Sequence, residues 1–528
     1  MLTRAARNCF RQYRAALGRS AYSTECKSHG TRSGIVLGVY QNGTSMEFSR
    51  EATAFNDRLG GLLEKLVASI GVKQGDALLL NNLDKEYPNL AVANLGPTDV
   101  GMDANEYMDL GKENVRQGIG KAVVLVTDEG ATKVFVDGLN CPETVAESAT
   151  LAAWKFEGTK SMENQTANVT VEALHRDDRE LFERGTVFGG VQNLARLLTE
   201  IPANILTPNN FAEQMIRTLC PCGITVDIQD RDWIEAKKLN GLLEASKGSC
   251  EQPLFAVLCY TGGNDSEKPI ALTAHATTFD TGGACLRECD DMAYKKRHVA
   301  SAATIVGVMK GISQLSLPIN VNAYIPLFES STSGTAMHPS DVLHVQGGRS
   351  VHVDHTKFVS RLAMADTLAY ASSTNPRLVV HACTLSQIVH SVFGELAAPL
   401  FTNSPQLWKE LERAGALMGD RTWMFPRYDR KRQMMINDPL ADVAVLGEGG
   451  VMLDDLPKSA AFANEFIDNL DYVHLDVAGV SKNTDEVTYP YLRKEFATGR
   501  MTRTLLQFIY QLSCPHDPPP PPPSPTRR

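Results

Sequence analysis

Short apolar runs alternate with segments of helical periodicity along most of this chain, and that alternation constrains the fold most strongly. Residues 34–40 and 76–80 predict strands, while residues 51–70, with apolar side chains three and four positions apart, predict a helix. Residues 106–119 predict a second helix and residues 121–127 a strand. Alternating strands and helices predict a sheet covered by helices, so the expected fold class is α/β.

The length of the chain predicts two domains. At 528 residues it exceeds what one core ordinarily supports. We predict a small N-terminal α/β domain over residues 33–176 and a larger α/β/α domain with a mostly parallel sheet over residues 177–513. Residues 514–528 contain an unbroken proline run from 518 to 523, which predicts a disordered tail or a ligand for a proline-binding module.

The first 32 residues differ in composition from the rest of the chain. Residues 1–24 contain five arginines and no acidic residue, and Arg4, Arg7 and Arg11 recur at helical spacing. An arginine-rich, acid-free amphipathic segment is typical of a mitochondrial transit peptide, so we expect a matrix location. The alternative is a basic disordered tail on a cytoplasmic protein.

Composition argues against several classes of function. The formal net charge is −9 and no basic stripe is interleaved with aromatic residues, which argues against nucleic-acid binding. No apolar run reaches transmembrane length, which argues against membrane insertion. The eleven cysteines show no disulfide framework, so reduced thiols are expected. Cys383 ends a predicted strand and is expected to be a buried, inert thiol.

Five short segments carry a resemblance to a known family. They are residues 278–283 (TFDTGG), 325–330 (IPLFES), 353–362 (VDHTKFVSRL), 419–423 (GDRTW) and 474–479 (HLDVAG). In order and separation they resemble the leucine aminopeptidase family, the M17 cytosol aminopeptidases, from about residue 33 to 513 and most strongly after Ile201. The resemblance implies a macro-like N-terminal domain, a catalytic-type C-terminal domain, and a hexamer of two trimers.

The resemblance also implies a site with two Zn²⁺ or Mn²⁺ ions held by one lysine and four acidic residues. Of those acidic positions, only Asp280 is retained here. His275 stands at the position of the ligand lysine, and His298 at that of a ligand aspartate. Lys357 and Val359 stand where the family has its last two acidic ligands.

These substitutions predict that the dinuclear centre does not form. Two like unit charges about 4 Å apart cost roughly 4 kcal/mol at an effective dielectric of 20, so Lys357 opposes a nearby cation. His275, Asp280 and His298 form a standard three-ligand set for one Zn²⁺, which is a hypothesis for a single remodelled site. The alternative is that both histidines are hydrogen-bonded remnants in a polar cleft.

Two arginines occupy the family's catalytic positions. Arg361 matches the catalytic arginine, whereas Arg287 replaces the catalytic lysine. A planar guanidinium does not reach a carbonyl oxygen as an ammonium does, so activity is expected to be impaired. The two arginines together are candidates to hold a small anion, and the alternative is that each pairs with an acidic residue of the cleft.

The sequence therefore predicts an impaired or inactive leucine-aminopeptidase-like protein. Its resemblance to the insect sperm branch of the family implies a structural homohexamer with a packing role in mitochondria. One alternative is an active Mn- or Zn-dependent aminopeptidase that releases N-terminal residues of the leucyl type. Another is a non-hydrolysing partner that binds peptide N-termini or joins related subunits in mixed hexamers.

Overall fold

The computed structural model describes residues 32–175, 179–386, 388–447, 455–467, 469–482 and 489–514. The predicted transit peptide, apart from Arg32, and the proline run lie outside the described residues. Both interpretations stay predictions.

The N-terminal part contains one sheet and one short hairpin. Its strands are β1 (Ser33–Asn42), β2 (Ser45–Phe48), β3 (Ala77–Asn81), β4 (Asn89–Asn94), β5 (Met102–Asp103), β6 (Met108–Asp109), β7 (Lys133–Val136) and β8 (Thr170–Ala173). The sheet order is β3-β4-β1-β7-β8, with β2 paired to β1, and the four strands from β4 to β8 run parallel. Its helices are α1 (Arg50–Arg58), α2 (Leu62–Ile70), α3 (Leu110–Asp128) and α4 (Pro142–Ala153).

One predicted helix is two helices in the structure. The helix expected over residues 51–70 is interrupted between α1 and α2, where Gly60 and Gly61 have φ angles of +64° and +79°. Glycine adopts this left-handed region without a steric penalty, so the pair ends one helix and redirects the chain into the next.

The strand predicted over residues 121–127 was wrong. These residues continue α3, which joins them to the helix predicted over residues 106–119. Their valines favour a strand by local preference, but Ile119, Val123 and Val126 fall on one helical face and are fully buried in the core. Burial of that face outweighs the weak strand preference of β-branched residues.

The larger part is built on a second, mixed sheet. Its strands are β9 (Thr225–Gln229), β10 (Leu254–Thr261), β11 (Ile270–Thr273), β12 (Ala276–Asp280), β13 (Asn320–Ser330), β16 (Leu378–Cys383), β17 (Ala397–Thr402), β18 (Arg421–Met424) and β20 (Tyr472–Asp476). A small neighbouring sheet consists of β14 (Asp341–His344), β15 (Ser350–Val353) and β19 (Val443–Ala444). The large sheet has the order β18-β17-β20-β16-β11-β13-β10-β9, with β12 beside β13.

Most strand pairings in the large sheet are parallel, as predicted. The antiparallel exceptions are β17 with β20, β13 with β10, and β10 with β9. Parallel β11, β16 and β20 lie side by side, and β12 runs parallel to β13. The carboxyl ends of β12, β16 and β20 therefore face one edge of the sheet, the usual position of a site in an α/β domain.

Helices cover both faces of this sheet. They are α5 (Arg179–Glu200), α6 (Pro208–Leu219), α7 (Arg231–Ala236), α8 (Asn240–Ser246), α9 (Cys289–Met292), α10 (Ala300–Gln314), α11 (Ser360–Ser373), α12 (Val389–Phe393), α13 (Pro405–Met418), α14 (Asp429–Ile436), α15 (Asp455–Asn464) and α16 (Thr502–Ser513). One apolar core lies between the sheet and α5, α6, α10, α13 and α16. A second lies on the opposite face, under α8, α11 and α15. The two-domain α/β class predicted from the sequence is confirmed.

Buried ion pairs connect the two parts of the chain. Arg116 on α3 donates through Nε to Glu147 on α4 at 2.9 Å and through Nη2 to the carbonyl oxygen of Leu417. Glu147 also pairs with Arg503 on α16. All three charged side chains are almost completely buried, so each depends on its partners for compensation. Among the described residues, no helix has both the length and the apolar character needed to cross a bilayer.

Candidate functional site

A tight turn follows the last residue of β12, Asp280. The backbone N–H of Gly282, whose φ is +90°, donates to Oδ1 of Asp280 at 2.8 Å. A Cβ atom on residue 282 would lie 2.6 Å from the carbonyl oxygen of Cys285 and 2.9 Å from Cγ of Arg287. A side chain at this position would block the turn, so glycine is what allows the chain to fold Arg287 back onto Asp280.

Arg287 forms the centre of the contacts at the cleft. Its Nη2 donates to Oδ2 of Asp280 at 2.7 Å and to the carbonyl oxygen of Lys357 at 2.6 Å. Its Nη1 lies 3.6 Å from Oδ2 of Asp291. Arg287 is 9% exposed, and its guanidinium joins the end of β12 to the turn that precedes α11. A positive charge therefore sits directly on the retained acidic residue.

His298 lies on the other side of the same carboxylate. Its Nδ1 is 3.5 Å from Oδ2 of Asp280, longer than a usual N–H···O hydrogen bond, and forms no hydrogen bond among the described residues. Desolvation and the positive charges of Lys295 and Arg287 hold the pKa of His298 well below its ordinary value. The imidazole is therefore neutral at physiological pH.

His275 is fully buried between β11 and β12. The hydroxyl of Thr384 donates to the carbonyl oxygen of His298 at 2.9 Å, and its oxygen lies 3.2 Å from Nε2 of His275. Because the hydroxyl proton is already committed, Nε2 carries the proton of the imidazole and donates to Thr384. Burial lowers the pKa of His275 to about 4. In this tautomer Nδ1 of His275 carries the free lone pair, and it has no hydrogen bond among the described residues.

Lys357 lies in the short 3₁₀ turn Thr356–Phe358, and Val359 is the residue after that turn. The N–H of Lys357 donates to Nδ1 of His355 at 3.3 Å, and the side chain of Lys357 is partly buried. Val359 is 1% exposed and packs in the core under α11. A valine buried in this way contributes packing energy where a metal ligand would have needed a polar environment.

Arg361 is fully buried and is held by groups of the fold. Its Nη1 donates to the carbonyl oxygen of Val445 at 2.7 Å, and its Nη2 pairs with the carboxylate of Asp455. The guanidinium carbon lies 4.8 Å from the centre of the Phe358 ring. Arg361 and Arg287 thus each pair with an acidic residue, the alternative that the sequence left open beside anion binding.

A second cluster of polar residues lies on β16 and β20, which sequence reasoning missed. His381 and Cys383 are two positions apart on β16 and share a face, and His474 is the register partner of His381 on β20. All three are fully buried, and one ligand atom from each lies within 4.8 Å of the others. The available signal was a histidine and a cysteine at alternate positions of one strand, with another histidine on a second apolar strand.

Burial determines the protonation of this cluster. It lowers the pKa of His474 to about 3 and holds that of His381 well below its ordinary value. It raises the pKa of the Cys383 thiol well above its usual range, an effect that the nearby Asp476 strengthens. The position of Cys383, buried at the end of a strand, agrees with the sequence prediction.

The described residues contain a different trio of clustered ligand atoms from the one predicted. One ligand atom from each of His381, Cys383 and His474 lies within 4.8 Å of the other two, and this group does not include His275 or His298. His298 lies beside Asp280 and is connected to His275 through Thr384, but Arg287 pairs with the same carboxylate oxygen of Asp280 that His298 approaches. Their role as a zinc site stays a prediction.

A smaller cavity lies beside these elements, and a larger one lies elsewhere. One of about 320 Å³ opens beside His298 and is lined by the basic side chains of Lys295 and Lys482. A larger one of about 1170 Å³ lies where the two parts of the chain meet, beside Trp154 and Asn193. The larger cavity contains none of the predicted site residues, so the cleft beside His298 is the candidate functional site.

Comparison with known families gives a consistent answer for both parts of the chain. The family model for the cytosol aminopeptidase family, catalytic domain, matches residues 193–506, and that for the N-terminal domain of the same family matches residues 36–163. The cytosol aminopeptidase of Bos taurus is 35% identical over 490 residues, which are 91% of this chain and 93% of the relative. That of Xenopus tropicalis is 33% identical over 519 residues, 96% of each chain.

Solved structures show the same fold. The bottromycin maturation enzyme BotP is similar with a TM-score of 0.76 and 23% identity, covering 92% of this chain and 100% of that one. A structure of BotP in complex with Mn gives the same values. At this level of identity the likeness concerns the fold alone. The catalytic-domain match covers more than half of the chain, and the relatives extend over nine-tenths of it, so this protein belongs to the cytosol aminopeptidase family.

Proposed function

We propose that this family member lacks peptidase activity because an internal ion pair has replaced its metal centre. The observation that carries the proposal is the environment of Asp280. Oδ1 accepts the N–H of Gly282 and Oδ2 pairs with Arg287 at 2.7 Å. The one acidic residue retained among the family's ligand positions is therefore already compensated by the chain itself.

The residues at the ligand positions do not fit two divalent cations. Two such ions bring four positive charges and require several carboxylates around them. The chain offers one carboxylate and adds a lysine, and the full set is His275, Asp280, His298, Lys357 and Val359. A unit charge beside a divalent ion about 4 Å away costs about 8 kcal/mol at an effective dielectric of 20. No catalytic step is assigned to a metal at these positions.

The guanidinium of Arg287 performs the structural task of a cation in the cleft. It neutralises Asp280 and also bonds the carbonyl oxygen of Lys357, so it connects the same two segments that carry the family's ligand positions. Charge-assisted bonds of this kind are about twice as strong as neutral ones. The cleft therefore keeps its shape without bound metal, which suits a protein retained for its scaffold.

We propose a structural role for that scaffold, as a homohexamer in the mitochondrial matrix. Both parts of the family fold are present, and the arginine-rich residues 1–32 have the composition of a transit peptide. The resemblance to the insect sperm branch supports a packing role in that compartment. An abundant structural subunit needs the fold and its surfaces but not the metal ligands.

Hydrolysis of a leucyl anilide with added Mn²⁺ or Zn²⁺ tests the loss of activity. The control is an intact member of the family, assayed in parallel at equal subunit concentration. We expect turnover below one-thousandth of that control, because neither metal position is complete. Turnover within tenfold of the control would contradict the proposal and favour an active aminopeptidase.

Light scattering and cell fractionation test the structural part of the proposal. We expect a particle six times the mass of one mature chain, recovered in the matrix fraction. A stable monomer, or a chain that stays in the cytosol, would contradict it. Co-purification with an intact family member would instead indicate mixed hexamers.

A further inference from the structure

The three residues His381, Cys383 and His474 form a compact group of potential ligands in the interior. Parallel pairing of β16 and β20 places the two histidines side by side, with ring centres 5.3 Å apart and planes inclined by 29°. Cys383 lies two residues beyond His381 on the same face, and its Sγ is 3.5 Å from Nε2 of His474. Regular strand geometry is sufficient to bring the three together.

Two nitrogen atoms of this group lack partners although they are completely buried. Nδ1 of His381 is occupied by the hydroxyl of Thr273 at 2.8 Å, but Nε2 of His381 has no hydrogen bond within the described residues. Nδ1 of His474 is likewise without a partner there. Buried polar atoms are normally satisfied, so the unpartnered Nε2 of His381 within this cluster indicates a missing binding partner, whereas Nδ1 of His474 is not the atom that lies beside Cys383.

One distance between ligand atoms matches that around a bound metal ion. With Zn–S of about 2.3 Å and Zn–N of about 2.0 to 2.1 Å, a tetrahedral ion separates a sulfur and a nitrogen ligand by about 3.6 Å. The observed separation of Sγ and Nε2 is 3.5 Å. The hydrogen bond from Thr273 also fixes the orientation of the His381 ring, as groups behind metal-binding histidines do.

We propose that His381, Cys383 and His474 bind one thiophilic d¹⁰ metal ion, Zn²⁺ or Cu⁺, as a structural site in the core. Two imidazoles and a thiolate suit both ions. Binding releases the thiol proton to solvent and leaves one sulfur–metal bond in its place. Asp476, the register partner of Cys383, places a further negative charge beside the ion and offsets the charge that Zn²⁺ would leave.

This site differs from the family's ligand positions in residues and in role. Its three ligands come from the interior of β16 and β20 and the last residue of β16, whereas His275, Asp280 and His298 come from the segments around β12 and α10. The cluster is fully buried, so the ion enters as the chain folds and adds its binding energy to stability. The site is independent of peptidase activity.

Metal analysis of the full-length protein tests the proposal. The protein is produced in medium supplemented with Zn²⁺ and, separately, with copper, then dialysed and analysed by mass spectrometry. We expect about one equivalent of metal per chain, and the medium that yields it identifies the ion. Less than a tenth of an equivalent from both media would overturn the proposal.

Two matched variants locate the ion. Cys383→Ser should lose at least nine-tenths of the metal, whereas Cys250→Ser, an exposed cysteine elsewhere, should retain it. Metal that survives Cys383→Ser but disappears in His298→Gln would place the ion in the cleft and overturn the proposal. X-ray absorption of the unmodified protein gives a result even if Cys383→Ser fails to fold. One sulfur and two imidazoles around the metal support the site, and a shell without sulfur rejects it.

Discussion

Replacing Arg287 with methionine tests whether its guanidinium stabilises the cleft as a built-in cation. The variant keeps most of the side-chain volume but removes the bonds to Asp280 at 2.7 Å and to the carbonyl oxygen of Lys357 at 2.6 Å. Asp280 is then a fully buried carboxylate that has lost its ion-pair partner. Removing one partner of a buried ion pair costs about 3 to 5 kcal/mol, so we expect a loss of unfolding free energy in that range.

A double-mutant cycle separates the ion pair from simple loss of packing. Asp280→Asn in the Arg287→Met background removes the uncompensated charge, so we expect it to recover at least about 2 kcal/mol of the loss. Urea denaturation at pH 7, followed by tryptophan fluorescence, measures all four proteins. If Arg287→Met costs less than about 1 kcal/mol, or if the two substitutions are additive, the guanidinium does not hold the cleft through Asp280 and the reasoning fails.

Three further predictions concern the cleft, a buried histidine and the junction between the two parts of the chain. Restoring the family's residues at five positions should raise Mn²⁺-dependent leucyl-anilide turnover at least tenfold over the native protein. The substitutions are His275→Lys, Arg287→Lys, His298→Asp, Lys357→Asp and Val359→Glu. An unchanged rate would show that other parts of the cleft also block activity. Burial lowers the pKa of His275 in the folded protein from 6.5 to about 4. Between these pH values His275 binds a proton in the unfolded chain but not in the folded one, so the free energy of unfolding decreases as pH falls from 6.5 to 4. His275→Gln should reduce that loss by about 3 kcal/mol in urea titrations across this range, and parallel pH profiles would contradict the shift. Glu147→Gln leaves Arg116 and Arg503 buried without their shared carboxylate and should lower the free energy of unfolding by about 3 to 5 kcal/mol. The control Glu183→Gln removes an exposed ion pair and should lower it by less than about 0.5 kcal/mol. Equal losses in the two variants would contradict the role of burial.

The sequence was sufficient for the fold class because apolar periodicity reports burial directly. The predicted strand at residues 34–40 lies within β1, and the one at residues 76–80 overlaps β3. Local preference failed where tertiary burial dominated, as in α3, whose valines were assigned to a strand. Two glycines broke the predicted helix at residues 51–70, and periodicity alone does not detect such a break.

The sequence was less informative about the contacts within the cleft. The family resemblance identified Arg287 and Asp280 as site positions, and the structure brings them into direct contact. Their pairing depends on the turn at Gly282, which folds the chain back over seven residues, and such a turn has no periodic signal. The changed ligand positions and Arg287 were both visible in the sequence, but only the structure shows which acidic residue Arg287 contacts.

The cluster on β16 and β20 could not be predicted, since it depends on strand order. His381 and His474 are far apart in the chain and meet only because these two strands are neighbours in register. Cys383 alone gave the expectation of an inert thiol, which its burial supports. Alternation along a strand shows which residues share a face, but not which strand lies beside it.

Equilibrium dialysis against Mn²⁺ tests the central claim most directly. Mn²⁺ prefers oxygen ligands, so it reports on the cleft and not on the sulfur-containing cluster of β16 and β20. An intact family member serves as the control and sets the Mn²⁺ concentration that saturates two sites. At that concentration we predict less than a tenth of an equivalent bound to this protein, because Arg287 already neutralises Asp280. Two equivalents of bound Mn²⁺ per chain would contradict the replacement of the metal centre by an ion pair.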